Sequence, residues 1–111
     1  MEYQIQREGD VAVLELHGVL DVASAPTFQT ALQSILDEGG NRVAVDMADV
    51  SFMDSSGLGV LIAAYRRLSG GGGQIALVNV VPAVHKVLQL TRTDQLFSLH
   101  DTLPAAITAL Q

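Results

Sequence analysis

Asp54, Ser55 and Ser56, followed by Gly57 and Gly59, form the cluster in this 111-residue chain whose residue types and spacing best suit chemistry. The segment Met53-Asp54-Ser55-Ser56-Gly57-Leu58-Gly59 stands where an apolar, strand-like run gives way to a helical pattern. A helix N-terminus leaves backbone N–H groups unpaired and carries a partial positive charge, so it suits a serine hydroxyl, a capping carboxylate or a phosphate. Two roles are therefore open to the serines: starting the helix as caps, or being themselves the site of a reaction. Each glycine in a helix costs about 1 kcal/mol relative to alanine, so a pair in the opening turns suggests a close approach to that backbone. Val60, Ala63 and Ala64 fall on the side away from the Leu58-Leu61-Ile62-Tyr65 face, leaving little polar surface there. Such a patch marks a docking surface, and the cluster reads as an interaction site.

Competing chemistries fail on spacing. A nucleophile elbow needs glycine two residues before and two after its serine. Met53 and Asp54 occupy the preceding position for Ser55 and Ser56 respectively. His17, His85 and His100 have no recognisable spacing to either serine and read as surface or strand-end residues. No Gly-Lys-Ser/Thr follows a glycine loop, and Gly70 to Gly73 precedes a strand, so that run reads as a turn and not a phosphate cradle. Asp46, Asp49 and Asp54 lack a defined magnesium-ligand spacing and read as two turn residues and one cap. The chain contains no cysteine, which removes thiolate and disulfide chemistry. No metal or cofactor is expected.

The elements that must position the serines follow from periodicity. Ile5 to Glu8 and Val11 to His17 read as strands joined by a tight Gly9-Asp10 turn. Ser24-Ala25-Pro26 opens a helix with Ser24 as its N-cap, and Phe28, Leu32, Ile35 and Leu36 form one face before Gly39-Gly40 ends it. Arg42 to Met47 reads as a strand, with Asp46 to Val50 carrying the chain on toward the serines. Leu58, Leu61, Ile62, Tyr65 and Leu68 then repeat at helical spacing. Ile75 to Val80 is an apolar strand of the kind buried on both faces. Pro82 opens a helix through Leu88, Leu96 to Leu99 forms a short strand, and Leu103 to Leu110 a terminal helix capped near Asp101 or Thr102. The order β-β-α-β-α-β-α-β-α predicts an α/β fold whose mixed sheet is parallel apart from the opening hairpin.

Hydrophobic residues make up 49% and charged residues 16%, which argues for a packed globular chain and against disorder. A net charge of -6 with no basic run excludes nucleic acid and anionic membrane as expected partners. No signal peptide is visible at Met1-Glu2-Tyr3-Gln4, and no apolar run approaches the roughly 20 residues of a membrane helix, so a cytoplasmic protein is expected.

Val50-Ser51-Phe52-Met53-Asp54-Ser55-Ser56-Gly57-Leu58-Gly59-Val60 closely resembles the signature of bacterial anti-sigma factor antagonists, the STAS-domain family of partner-switching proteins. Gly18 to Pro26 is similar to a second motif of that family, and Pro82-Ala83-Val84 to a third. The resemblance implies a single STAS domain over residues 1–111, with a mixed, mostly parallel sheet of four to five strands flanked by about four helices. It implies a regulator and not an enzyme. The unphosphorylated protein would bind an anti-sigma factor that is a serine kinase and so free a sigma factor. Phosphorylation of the serine after the motif's aspartate, here Ser55, would switch it off, and a serine phosphatase would reverse the step. The implied partner-binding residues are Asp21 and Ser24 of the second motif, with Asp54, Ser56, Gly57, Leu58, Gly59 and Val60. A phosphate on Ser55 would be held by the free N–H groups and dipole of the helix start. An alternative is a STAS scaffold subunit of another signalling or lipid-transport assembly, with the serine kept for packing. Three departures stand out: Val19 where an acidic residue is common, Thr91-Arg92-Thr93 where a glycine is frequent, and the long Gly70 to Gly73 run. Arginine pays a steric penalty in a left-handed C-cap, which predicts a different helix ending.

Overall fold

Every strand of the sheet lies beside its predecessor in the chain. The computed structural model describes residues 1–111. Its five strands run in the spatial order β1-β2-β3-β4-β5: β1 (Glu2–Glu8), β2 (Val11–Leu20), β3 (Arg42–Met53), β4 (Gln74–Val78) and β5 (Ser98–His100). The opening hairpin is antiparallel and the other three pairings are parallel. Helices α1 (Ala25–Asp37), α2 (Ser55–Gly70) and α3 (Pro82–Leu90) connect the parallel strands, a short turn of 3-10 helix covers Thr93–Gln95, and α4 (Leu103–Leu110) ends the fold.

This order dictates the layers. Strands that advance steadily in one direction through right-handed crossovers put every connecting helix on the same face. The larger core accordingly joins Phe28, Leu32 and Ile35 of α1, Leu58, Leu61 and Leu68 of α2, and Val84 and Leu88 of α3 against one side of the sheet. The pairing aligns Ile5, Leu14, Val45, Leu77 and Leu99 in a row across all five strands on that side. Full burial of such a side chain contributes about 1.5–3 kcal/mol. The terminal helix α4 is no crossover, so it is free to cover the other face. There it packs Ala106 and Leu110 on Val11, Val13, Ala44, Ala76 and Val78, whose small side chains let the helix sit close.

Several boundaries differ from the sequence expectation. The third strand does not stop at Met47 but runs to Met53, and β2 continues to Leu20. Two register irregularities in their pairing, between Glu15 and His17 and between Gly18 and Leu20, keep the ladder going past the polar residues. Asp46 and Asp49 are consequently strand residues and not turn residues. The fourth strand ends at Val78 because Asn79 turns the backbone to φ 57°, a left-handed conformation that asparagine tolerates. The last strand is Ser98–His100, displaced from Leu96 by the 3-10 turn.

The end of α3 corrects the argument drawn from Arg92. The arginine itself adopts the left-handed conformation at φ 61°, and its N–H donates to the Gln89 carbonyl at 3.0 Å. Thr91 Oγ1 reinforces the ending by donating to the Val87 carbonyl at 2.8 Å. The glycine run is likewise used. Gly72 stands at φ 79°, and a Cβ on Gly73 would lie 2.5 Å from the Asn41 carbonyl oxygen.

Candidate functional site

With β3 extended to Met53, Asp54 alone separates the strand from α2. Its backbone is still extended, at φ -102° and ψ -173°, and its side chain caps the helix. Asp54 Oδ1 accepts the Ser56 N–H at 2.8 Å and the Gly57 N–H at 3.4 Å. The Asp54 N–H donates to the Leu20 carbonyl at 2.9 Å, which ties the start of α2 to the end of β2. The cap is therefore Asp54, which frees both serines from that duty. Ser55 is the first residue of α2 and is exposed; Ser56 is half-buried.

The two glycines, alike in sequence, have different surroundings. A Cβ at Gly57 would lie 2.9 Å from Leu20 Cβ, 3.0 Å from Met53 Cγ and 3.3 Å from the Leu20 carbonyl oxygen. Gly57 therefore lets α2 descend onto the strand ends, and Leu58 beside it is buried in the core. Gly59 is exposed, and no atom comes within 4 Å of the Cβ it lacks. The close approach inferred from sequence is internal at Gly57 and has no internal counterpart at Gly59.

The apolar flank of α2 is also narrower than its sequence suggested. Ala64 is buried against the core, because Leu61, Ala64 and Leu68 continue one helical face. Half-buried Val60 and exposed Ala63 face a shallow groove between α1 and α2, with Gln29, Leu32 and Leu36 on the opposite wall. At its far end Arg67 of α2 reaches Asp37 of α1 at 2.9 Å.

Asp21 and Ser24 shape the neighbouring β2–α1 loop. Ser24 sits at the N-cap position of α1 but makes no cap hydrogen bond with its side chain. Its buried hydroxyl instead donates to the Val19 carbonyl at 2.6 Å and accepts the Asp21 N–H at 3.0 Å. Asp21 Oδ1 accepts the N–H groups of Ala23 and Ser24, each at 3.1 Å. The loop so held presents Val22 to solvent, 75% exposed, beside the exposed Val19 near the end of β2. Phe52, three residues before Ser55, is also exposed. Sequence reasoning did not single out the exposed Val22 and Phe52. For Val22 the available signal was an apolar side chain inside a loop already committed to polar turn-making; Phe52 lies near the end of β3.

The structure thus gathers Asp54, Ser55, Ser56, Gly57 and the Leu20 end of β2 at one junction, with the Asp21–Ser24 loop following Leu20. The three aspartates considered for a metal do not converge. Asp46 Oδ1 accepts from the Ala48 N–H and from Asn79 Nδ2, Asp49 contacts His17 Nδ1 at 2.8 Å, and Asp54 caps α2. His17 also meets Glu15 through Nε2 at 2.9 Å, so its ring is committed between two carboxylates. No helix is long and apolar enough to cross a membrane.

Comparison with known proteins agrees with this geometry. The STAS-domain family model matches residues 2–106. The chain is 31% identical over 86 residues to the anti-sigma-B factor antagonist of Bacillus subtilis, covering 78% of this chain and 77% of that protein. The crystal structure of an anti-sigma factor antagonist from Mycobacterium paratuberculosis superposes with a TM-score of 0.90 at 28% identity, over 98% of this chain and 92% of that one. The Bacillus cell fate determinant SpoIIAA in its phosphorylated form shares the fold, with a TM-score of 0.78 at 24% identity, over 99% of this chain and all of that one. The α/β architecture and the matched span lead to one assignment: this chain belongs to the STAS-domain family.

Proposed function

We propose that this protein is an anti-sigma factor antagonist whose binding is switched by phosphorylation of Ser55. One observation carries the reading: Ser55 is an exposed hydroxyl at the first position of α2, relieved of capping by Asp54. Relatives named as anti-sigma factor antagonists support the role. In the unphosphorylated state the surface around Ser55 binds an anti-sigma factor with serine kinase activity, and the sigma factor goes free. Ser56, Gly59 and Val60 lie on that surface; Gly59 leaves room for a partner's backbone. Asp54, Gly57 and Leu58 set its shape from beneath, and Asp21 and Ser24 hold the adjoining loop.

The kinase catalyses the switch and this chain supplies the acceptor. The Ser55 hydroxyl oxygen bonds to the γ-phosphorus of ATP, the bond to the ADP oxygen breaks, and the hydroxyl proton passes to a base of the kinase. The product gains about -1.5 to -2 charge at neutral pH. Burying that charge unpaired at an interface costs several kcal/mol, against the roughly 8 kcal/mol that holds a micromolar complex. A cytoplasmic serine phosphatase restores the hydroxyl by hydrolysis, releasing inorganic phosphate.

The test is incubation with the cognate anti-sigma kinase and ATP, followed by intact-mass measurement. Wild-type chain gains one phosphoryl group and Ser55→Ala gains none. Modification that persists in Ser55→Ala and vanishes in Ser56→Ala moves the site by one residue. Ser55→Asp should bind the kinase more than tenfold more weakly; unchanged affinity refutes the electrostatic switch.

A further inference from the structure

The two ends of the sheet are guarded unequally. At one end β5 is three residues long, and so short an edge gives another chain little to pair with. At the other end β1 runs for seven residues, all of them exposed, in unbroken register with β2. It has no proline, lysine or bulge to protect it, and its charges, Glu2 and Arg7-Glu8, stand at its two ends. Glu8 and Val11 flank the two-residue Gly9-Asp10 turn. Alternation along the hairpin then directs the backbone groups of Glu2, Gln4, Gln6 and Glu8 to β2, and those of Tyr3, Ile5 and Arg7 outward. No loop or cap bond uses the outward groups.

We infer that the β1 edge pairs antiparallel with the β1 edge of a second copy of this chain, about a two-fold axis that sets Gln4 opposite Gln4. Opposed side chains must share a face of the sheet. Tyr3, Ile5 and Arg7 lie on the helix-covered face with Leu16, Leu14 and Ala12, and the acidic and amide residues lie on the other. The axis can then pass through Gln4, Ile5 or Gln6 with β1 largely overlapped. Through Ile5 it places Glu2 directly opposite Glu8 at both ends, and like charges so opposed are destabilising. Through Gln6 it sets Ile5 against Arg7 and leaves Tyr3 opposite Gly9. Through Gln4 it sets Tyr3 against Ile5 and Glu2 against Gln6, with no like charges face to face. The apolar row Leu77, Val45, Leu14 and Ile5 ends at Ile5, 40% exposed. In this register it continues through Tyr3 of the second copy, 38% exposed in the single chain, to that copy's Leu16. Both helix layers fall on one side of a ten-stranded sheet. β1 carries none of the residues placed around Ser55, so the pairing is independent of the switch. One strand edge buries less than a standard interface, so association is weak and reversible, with a Kd of about 10 µM to 1 mM.

Sedimentation of the full chain over about 10 µM to 1 mM should show the mass rising from monomer to dimer. The chain has no cysteine, so single-cysteine variants at the exposed β1 positions read the register without a competing thiol. Gln4→Cys places two sulfurs across a non-hydrogen-bonded pair with Cα atoms about 4.5 Å apart, within reach of a disulfide. It should cross-link under mild oxidation severalfold faster than Ile5→Cys or Gln6→Cys, whose Cα atoms lie beyond that reach. Glu2→Cys mixed with Gln6→Cys should cross-link to each other faster than either does alone. A chain that stays monomeric throughout overturns the inference and leaves the edge to an extended segment of a different protein. Equal rates at Gln4, Ile5 and Gln6 mean random collision and overturn it as well, as does preferential cross-linking at Ile5 or Gln6.

Discussion

Replacing Gly57 and Gly59 separately by alanine turns the difference between the two glycines into a measurement. Both sit in the opening turns of α2, and each substitution gains helix propensity of about 1 kcal/mol. At Gly59 nothing opposes that gain, since no atom lies within 4 Å of the new methyl. At Gly57 the methyl arrives 2.9 Å from Leu20 Cβ and 3.0 Å from Met53 Cγ. The first of these is fixed to the backbone at the very end of β2, and cannot rotate away. Overpacking of this kind costs about 1–3 kcal/mol, so Gly57→Ala should range from neutral to about 2 kcal/mol destabilised while Gly59→Ala gains about 1. The two variants should then differ by about 1–3 kcal/mol, or about 4–12 °C in Tm for a domain of this size. Urea unfolding provides the assay, with a midpoint shift at unchanged slope marking a true stability change. The Gly59→Ala chain, though more stable, should bind the kinase more weakly, because its methyl occupies the docking face. If Gly57→Ala unfolds at the same midpoint as Gly59→Ala, the close approach of α2 to Leu20 does not constrain this site and the reasoning fails.

Two further substitutions test the loop and the helix ending. Ser24→Ala removes the hydroxyl that joins Val19 to Asp21, leaving a carbonyl and an amide without their partner, and should cost about 1–3 kcal/mol in urea unfolding; a loss below a few tenths would show that water replaces the hydroxyl. Arg92→Gly should raise the unfolding midpoint by up to about 1 kcal/mol, since relief of about 1–2 kcal/mol of left-handed strain exceeds the added flexibility of the unfolded chain. A lower midpoint would show that the arginine side chain contributes more than its backbone costs.

The order of elements and the helix start at the serines were legible because both rest on local rules. Alternation, 3.6-residue spacing and the Gly9-Asp10 turn are properties of neighbouring residues, and they place the hairpin turn, α1, α2 and α4, although β1 begins earlier, at Glu2, and of Asp101 and Thr102 it is Thr102 that caps α4. The extent of β3 was not legible in the same way. Asp46, Asp49 and Ser51 interrupt its apolar pattern, and only pairing with β2, a distant segment, makes a strand of them. Ser24 misled for a related reason: its position matches an N-cap, but a carbonyl five residues earlier competes for its hydroxyl and wins. Arg92 shows the opposite balance, a local steric penalty overridden by the threonine bonds and core contacts that end α3. At the serines, sequence alone could not divide the capping duty between three polar residues in a row. The 2.8 Å bond from the Ser56 amide to Asp54 divides it.

The one-by-one order of the strands bears on how the site comes into being. Parallel pairing always requires a long connection, but joining each strand only to its predecessor keeps those loops as short as such a sheet allows, which lowers the entropic barrier to folding. A chain emerging from the ribosome can add strands in sequence, with no later segment needing to insert between earlier ones. The bond from Asp54 to the Leu20 carbonyl forms only once β3 has docked on β2 along its whole length. Ser55 therefore acquires its geometry at a defined stage of assembly, and an incompletely folded chain does not present the surface that a partner reads.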